Sequence, residues 1–214
     1  MTKTKENNHF DLGSRILVAS SNEGKLRELS QVFANVNIEC LPQSKLGIND
    51  AVEDGLSFVE NAIKKARHAS RESGLAALAD DSGLEVPALN GAPGIYSARF
   101  AGENATDQDN NVRLLAEMAN LRDEQRRACF RCVLVLMRHD QDPTPMICQG
   151  SWWGEILAAP RGTNGFGYDP LFFLPEQNCT STELDSESKN KLSHRGQALE
   201  QLLQRLLTQN MSSA

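Results

Sequence analysis

Hydrophobic positions recur along this chain at two spacings, and their order predicts strands and helices in alternation. Residues 15–19, Arg-Ile-Leu-Val-Ala, form a short β-rich run. The polar stretch Ser-Ser-Asn-Glu-Gly-Lys follows, and then Leu26, Leu29 and Phe33 at helical spacing, so the first unit reads as strand, loop, helix. Residues 38–41 predict a second strand that Pro42 ends. Ser57 and Glu60 stand at capping-box spacing, and Phe58, Ala62, Ala66 and Ala69 line one face of a helix reaching about residue 71. An apolar run, residues 75–79, leads into Asp80 and Asp81, with Ser82 and Gly83 assigned to a turn. Gly91, Pro93 and Gly94 mark a turn-rich connection, and Thr106, Asp107 and Asp109 open a helix over residues 110–118. Residues 126–138 predict a long strand, and residues 147–157 its antiparallel neighbour across an Asp-Pro-Thr-Pro turn. Trp152 and Trp153 lie in that second strand, and at least one is expected to pack. Ser193 is the expected N-cap of a last helix whose Leu199, Leu202, Leu203, Leu206 and Leu207 face inward.

Composition narrows the class. A chain of 214 residues can bury a sizeable core as one domain, and 40% apolar with 23% charged positions is an ordinary soluble balance. No run approaches the roughly 20 apolar residues that span a bilayer, so no membrane partner is expected. Residues 1–14 form a flexible polar extension without the apolar segment of a secretory signal, and residues 209–214 a flexible tail. The net charge of −6 lacks the basic footprint of a general nucleic-acid binder, although a local basic pocket and a bound cation still admit a phosphorylated small molecule. Five cysteines without a framework spacing place the chain in the cytoplasm. Cys129 and Cys132 have CxxC spacing, but a strand sends them to opposite faces, and buried free thiols are expected.

Four stretches carry candidate chemistry. Asp80-Asp81 at a strand end is a metal site or a hydrophilic turn, and strand alternation lets only one of the two face a given cleft. The loop Ser20–Lys25 presents helix-start N–H groups beside a lysine, which suits an anion or serves as a plain strand-to-helix connection. It is not a Walker loop, since only Gly24-Lys25 agrees with that motif. Glu53, in the acidic loop 47–55, is a metal ligand or a solvated acid. The loop Gly-Thr-Asn-Gly-Phe-Gly-Tyr-Asp at 162–169 offers close backbone approach, a stacking ring in Phe166, and the polar groups of Tyr168 and Asp169; the alternative is a hairpin loop with an aromatic plug. His194 and Arg195 stand in a helix's first turn, where cations oppose the macrodipole unless a ligand or an acid compensates.

In order and spacing, Ser-Ser-Asn-Glu-Gly-Lys, Ala-Asp-Asp-Ser-Gly-Leu-Glu-Val with Gly-Ala-Pro-Gly-Ile-Tyr-Ser-Ala-Arg-Phe, Gly-Thr-Asn-Gly-Phe-Gly-Tyr-Asp-Pro and Ser-His-Arg-Gly-Gln-Ala-Leu resemble the inosine/xanthosine triphosphate pyrophosphatase family, bacterial branch, from Ile16 to Leu203. The resemblance implies one α/β domain over residues 15–208. Its long, mixed, twisted central sheet would be flanked by helices, with two lobes and a nucleotide cleft between them, in a homodimer. It implies hydrolysis of dITP, ITP and XTP to the monophosphate and pyrophosphate, keeping non-standard purines out of DNA and RNA. Asp81 would be catalytic base and, with Glu53, a Mg²⁺ ligand. Ser20, Ser21, Asn22, Glu23, Gly24 and Lys25 would bind the triphosphate with Ser82 alongside; Phe166, Gly167, Tyr168 and Asp169 would hold the nucleoside; Lys189, His194 and Arg195 would complete the base and phosphate contacts. The family usually has glycine where this chain has Ser21. Two other functions fit the same residues, a pyrophosphatase for modified pyrimidine nucleotides and a nucleotide sensor without hydrolysis.

Overall fold

The structure, a computed structural model, describes residues 15–34 and 38–211; the expected extension at 1–14 lies outside the described residues. Strand β1 (Arg15–Ala19) pairs in parallel with β2 (Glu39–Pro42) on one side and β3 (Ala77–Glu85) on the other. Parallel neighbours need crossovers, and helices α1 (Glu23–Ala34) and α2 (Phe58–Ser73) supply them. The rest of the sheet is antiparallel: β4 (Arg127–Met137), β5 (Met146–Ile156), β6 (Phe172–Leu174) and β7 (Cys179–Thr180) follow β3 in order. The result is one seven-stranded mixed sheet of order β2-β1-β3-β4-β5-β6-β7, the α/β class expected from the sequence.

Helix α3 (Asp107–Glu117) begins at a Thr106–Asp109 capping box. Helices α4 (Ser186–Leu192) and α5 (His194–Met211) meet at Ser193, whose Oγ accepts from Gly196 N at 3.1 Å and so caps α5 as expected. Helix α5 runs past the expected boundary at residue 208.

Alternation along the strands sorts the core. One sheet face packs Ile16, Val18, Leu78 and Leu134 against Leu29 and Phe33 of α1 and Leu199, Leu202 and Leu206 of α5. Leu29 and Phe33 are fully buried, and each contributes about 1.5–3 kcal/mol by leaving water. The other face packs Leu17, Ala77, Ala79 and Val135 against the alanine stripe Ala62, Ala66, Ala69 of α2. A third cluster, at the β4–β6 end, joins Phe130, Trp152 and Phe172 to Leu114 and Met118.

Two expectations need correction. Ser82 and Gly83 are not a turn: β3 continues through them to Glu85, in register with Cys132 and Arg131 of β4, because the ladder continues past the acidic pair. Leu207 is 54% exposed, on the flank of α5 beside the residues at helical spacing that do pack. Glu60 closes the N-terminus of α2 with Ser57, as their spacing predicts. Its Oε2 accepts from Leu56 N and Ser57 Oγ, both at 2.8 Å, while Lys64 takes Asp54. Of the two tryptophans Trp152 is buried; Trp153 is largely exposed beneath the guanidiniums of Arg127 and Arg131.

Candidate active site

Strand β3 carries the two adjacent carboxylates to opposite faces of the sheet, and each meets different helices. Asp80 turns toward α1 and α5. Its Oδ2 accepts from Arg195 Nε at 2.7 Å, and its Oδ1 pairs with Lys25 and accepts from Ser82 Oγ at 2.8 Å. Arg195 also gives Nη1 to Glu28 at 2.6 Å and Nη2 to Ser82 Oγ at 3.1 Å. Burial opposes the charge on Asp80, but Arg195 and Lys25 outweigh it and hold the carboxyl well below the usual carboxylate range. Burial likewise opposes the charge on Arg195, and Asp80 and Glu28 overcome it. The cation in the first turn of α5 is therefore compensated by two acids of the protein itself.

Asp81 turns toward α2. Its Oδ1 accepts from Lys65 Nζ at 2.6 Å, and Lys65 also reaches Glu53 Oε1 at 3.2 Å. Its Oδ2 is buried without a hydrogen-bond partner. Burial raises the Asp81 carboxyl above its ordinary value against the pull of Lys65. Burial works against the Lys65 ammonium, yet Asp81 and Glu53 raise it on balance.

The loop after β5 closes the site. Asp169 Oδ2 accepts from Phe166 N at 3.1 Å and from Lys189 Nζ at 2.6 Å, while Oδ1 accepts from Ser181 Oγ at 2.9 Å. Tyr168 donates its hydroxyl to Ser97 O at 2.8 Å, and Gly167 N donates to Asp107 Oδ2 at 2.6 Å. Tyr168 and Asp169 thus shape the loop that presents Phe166. Lys189 Nζ stands 5.5 Å from the centre of the Phe166 ring. Behind the ring, a β-carbon at Gly24 would lie 2.9 Å from it, so a larger residue there would push Phe166 aside.

His194 stacks on Phe130, with ring centres 4.8 Å apart and planes 11° apart. Burial, with Arg195 beside it, lowers its pKa well below the ordinary histidine value; it is a neutral ring with Nδ1 unpartnered. The helix start fits against β5 because residue 150 is glycine: a β-carbon there would fall 1.8 Å from His194 O.

These walls enclose a cavity of about 400 Å³. Every residue singled out from the sequence lines it except Glu23 and Gly24. Glu23 is exposed in the first turn of α1, and Gly24 faces a neighbouring cavity behind Phe166. Asn22 caps α1, its Oδ1 accepting from Lys25 N at 3.1 Å. Sequence reasoning missed Lys65, Glu28 and the structural part played by Asp80. Glu28 follows Lys25 by three residues, which places both on one helix face, and that spacing was a usable signal. Lys65 gave none, since Lys64-Lys65 reads as a solvated pair.

The donor set fits Mg²⁺. Glu53 and Asp81 already converge on one cation, the Lys65 ammonium, so two carboxylates meet at one point. Among the described residues no group of three or more His, Cys, Asp or Glu forms a metal cage. A magnesium ion characteristically takes one or two carboxylates and completes its shell with water and phosphate oxygens.

Known proteins resemble this chain over most of its length. The model of the Ham1 family matches residues 16–205. A Vibrio vulnificus protein named dITP/XTP pyrophosphatase is 54% identical over 195 residues, covering 91% of this chain and 98% of that protein. An Escherichia coli O157:H7 protein of the same name is 53% identical over 192 residues, covering 90% and 98%. The solved structure of a HAM1 protein from Coxiella burnetii superposes with a TM-score of 0.85 at 49% identity, covering 92% of this chain and all of that one. The chain belongs to the Ham1 family.

Proposed function

We propose that this protein is a Mg²⁺-dependent pyrophosphohydrolase of non-standard purine nucleoside triphosphates, dITP, ITP and XTP, cutting between the α and β phosphates. The observation that carries the reading is the convergence of Lys25, Lys65, Lys189 and Arg195 on one cavity with a buried carboxylate oxygen, Asp81 Oδ2, that lacks a partner. A triphosphate needs several cations, and its hydrolysis needs a base; the cavity supplies both. The names of the relatives point the same way.

Mg²⁺ held by Glu53 and Asp81 would neutralise phosphate charge and polarise the phosphoryl oxygens. The chain's own residues do the rest. Asp81 Oδ2 takes the proton of the attacking water, and its raised pKa brings it nearer to the working range of a general base. Lys25 and Lys189 offset phosphate charge. Phe166 stacks the base, with Asp169 holding Phe166 N and Lys189 in place. Arg195 sits at the wall with its guanidinium anchored by Asp80 and Glu28, and a 6-oxo purine accepts where a 6-amino group would meet donor with donor. An unpaired buried donor costs about 1–3 kcal/mol, on the order of tenfold to more than a hundredfold in selectivity.

The homodimer belongs to the same proposal, and sedimentation velocity tests it. So does the cytoplasm, which the five free cysteines fit. No described helix is long and apolar enough to cross a membrane. The deciding experiment is pyrophosphate release from dITP, XTP, dGTP, dATP and dUTP with and without Mg²⁺. Magnesium-dependent release favouring dITP and XTP is expected. Equal rates on dUTP would transfer the site to pyrimidines, and binding without release would make the protein a sensor.

A further inference from the structure

We infer that Ser21, Asp50 and Gln43 form a clip that fixes the loop after β1 against the loop carrying Glu53, so that Ser21 and Asp50 are positioning residues; as a statement about catalysis this rests on the pyrophosphohydrolase reading. Ser21 Oγ donates to Asp50 Oδ2 at 3.1 Å, and Gln43 Nε2 donates to Asp50 Oδ1. Both oxygens of one carboxylate are thereby engaged by neutral donors from two different segments.

Each end of the clip is anchored. Gln43 is 4% exposed and starts a 3-10 turn directly after β2, and its carbonyl accepts from Ile48 N at 3.2 Å. Ser21 lies between Ser20, whose Oγ accepts from Asn22 N at 3.2 Å, and Asn22, the cap of α1. Between them runs the acidic loop, which side chains tie down: His68 Nε2 meets Asn49 O at 3.0 Å, Lys65 meets Glu53, Lys64 meets Asp54, and Asn61 Oδ1 accepts from Gly55 N at 2.8 Å. Those four ties hold the loop to α2. The Asp50 tie is different, because it crosses to the triphosphate loop on the cavity side.

The clip also accounts for the departure at residue 21. Glycine has no hydroxyl and would leave Asp50 Oδ2 without this donor, a carboxylate facing the phosphate site. With serine, the charge is engaged and the acid acts as a strut. Its effect belongs to how the two loops are pre-set for the triphosphate, so it acts on ground-state and transition-state binding alike.

The test is steady-state hydrolysis of dITP by the full chain, by Ser21→Ala, Asp50→Ala and the double variant, and by Ser21→Thr, which keeps the hydroxyl. Each single deletion is expected to raise KM by about threefold to tenfold with kcat within about twofold. The double variant should match the singles instead of multiplying them, and Ser21→Thr should restore KM. A double variant whose loss is the product of the singles, or single variants with the KM of the wild type, overturns the clip. If the wild-type chain hydrolyses no triphosphate, the catalytic reading falls and the clip is judged by hydrogen exchange of the amides of residues 47–55. Faster exchange in Ser21→Ala supports it, and unchanged exchange overturns it.

Discussion

Asp80 and Asp81 are neighbours in sequence and strangers in chemistry. On the α1/α5 side, Asp80 meets Arg195, Lys25 and Ser82, and both its oxygens are engaged. On the α2 side, Asp81 meets Lys65 alone and keeps one buried oxygen unpartnered. The first carboxyl is driven well below the usual range and the second is raised. A single strand thus builds a buried ion cluster and a carboxylate with an unpartnered oxygen one residue apart, because alternation delivers them to different helices. Under the proposed function, that unsatisfied oxygen is the one the reaction would use.

The largest effect expected is on turnover. Asp81→Asn should slow dITP hydrolysis by about 10²- to 10⁴-fold, while binding of a non-hydrolysable analogue changes little. With its pKa raised in the fold, the Asp81 carboxyl contributes stability below the unfolded value and loses it as pH rises through the folded one. The variant's unfolding midpoint at neutral pH should therefore be no lower than that of the wild type. A large loss of stability with intact turnover would erase the contrast.

Asp80→Ala should do the reverse and strike the fold. It takes one of its two acids from Arg195, only 3% exposed, which keeps Glu28, and a cost of up to about 3–5 kcal/mol in urea unfolding is expected. With its pKa depressed in the fold, Asp80 contributes stability that is complete above the unfolded value of about 4 and is lost as pH falls through the folded one. The stability profile of Asp80→Ala should accordingly flatten below that pH, and an unchanged acid slope would remove Asp80 from the cluster.

Lys65→Met sharpens the comparison from the other side. It takes away the cation between Glu53 and Asp81, leaves two carboxylates together, and should move the acid limb of the pH–rate profile upward. A limb that stays in place would mean that another group sets it. The smallest effect belongs to the exposed pair Lys64–Asp54, where Lys64→Ala should leave both the unfolding midpoint and turnover unchanged.

Much of this was legible in one dimension. The strand, loop and helix around Ser20–Lys25, the Ser57 and Thr106 caps, the β4–β5 hairpin and the Ser193 cap all follow from local propensity and periodicity, which act over a few residues. The resemblance named about half of the residues that line the cavity, and all the residues it named lie there except Glu23 and Gly24. Local rules failed where long-range pairing decided the outcome. Ser82-Gly83 has the composition of a turn, yet the ladder with β4 carries it as strand.

By itself, then, the sequence determined which elements form and which motifs travel together, because those depend on spacing along the chain. Only the tertiary structure decided which acid is fully paired and which keeps an unpartnered oxygen. It brought Lys65, Glu28 and Arg195 to Asp80 and Asp81 from other helices. It turned His194 into a neutral ring stacked on Phe130, and it gave Ser21 a partner in Asp50. Charge and burial are properties of distance in space, and they belong to no single stretch of chain.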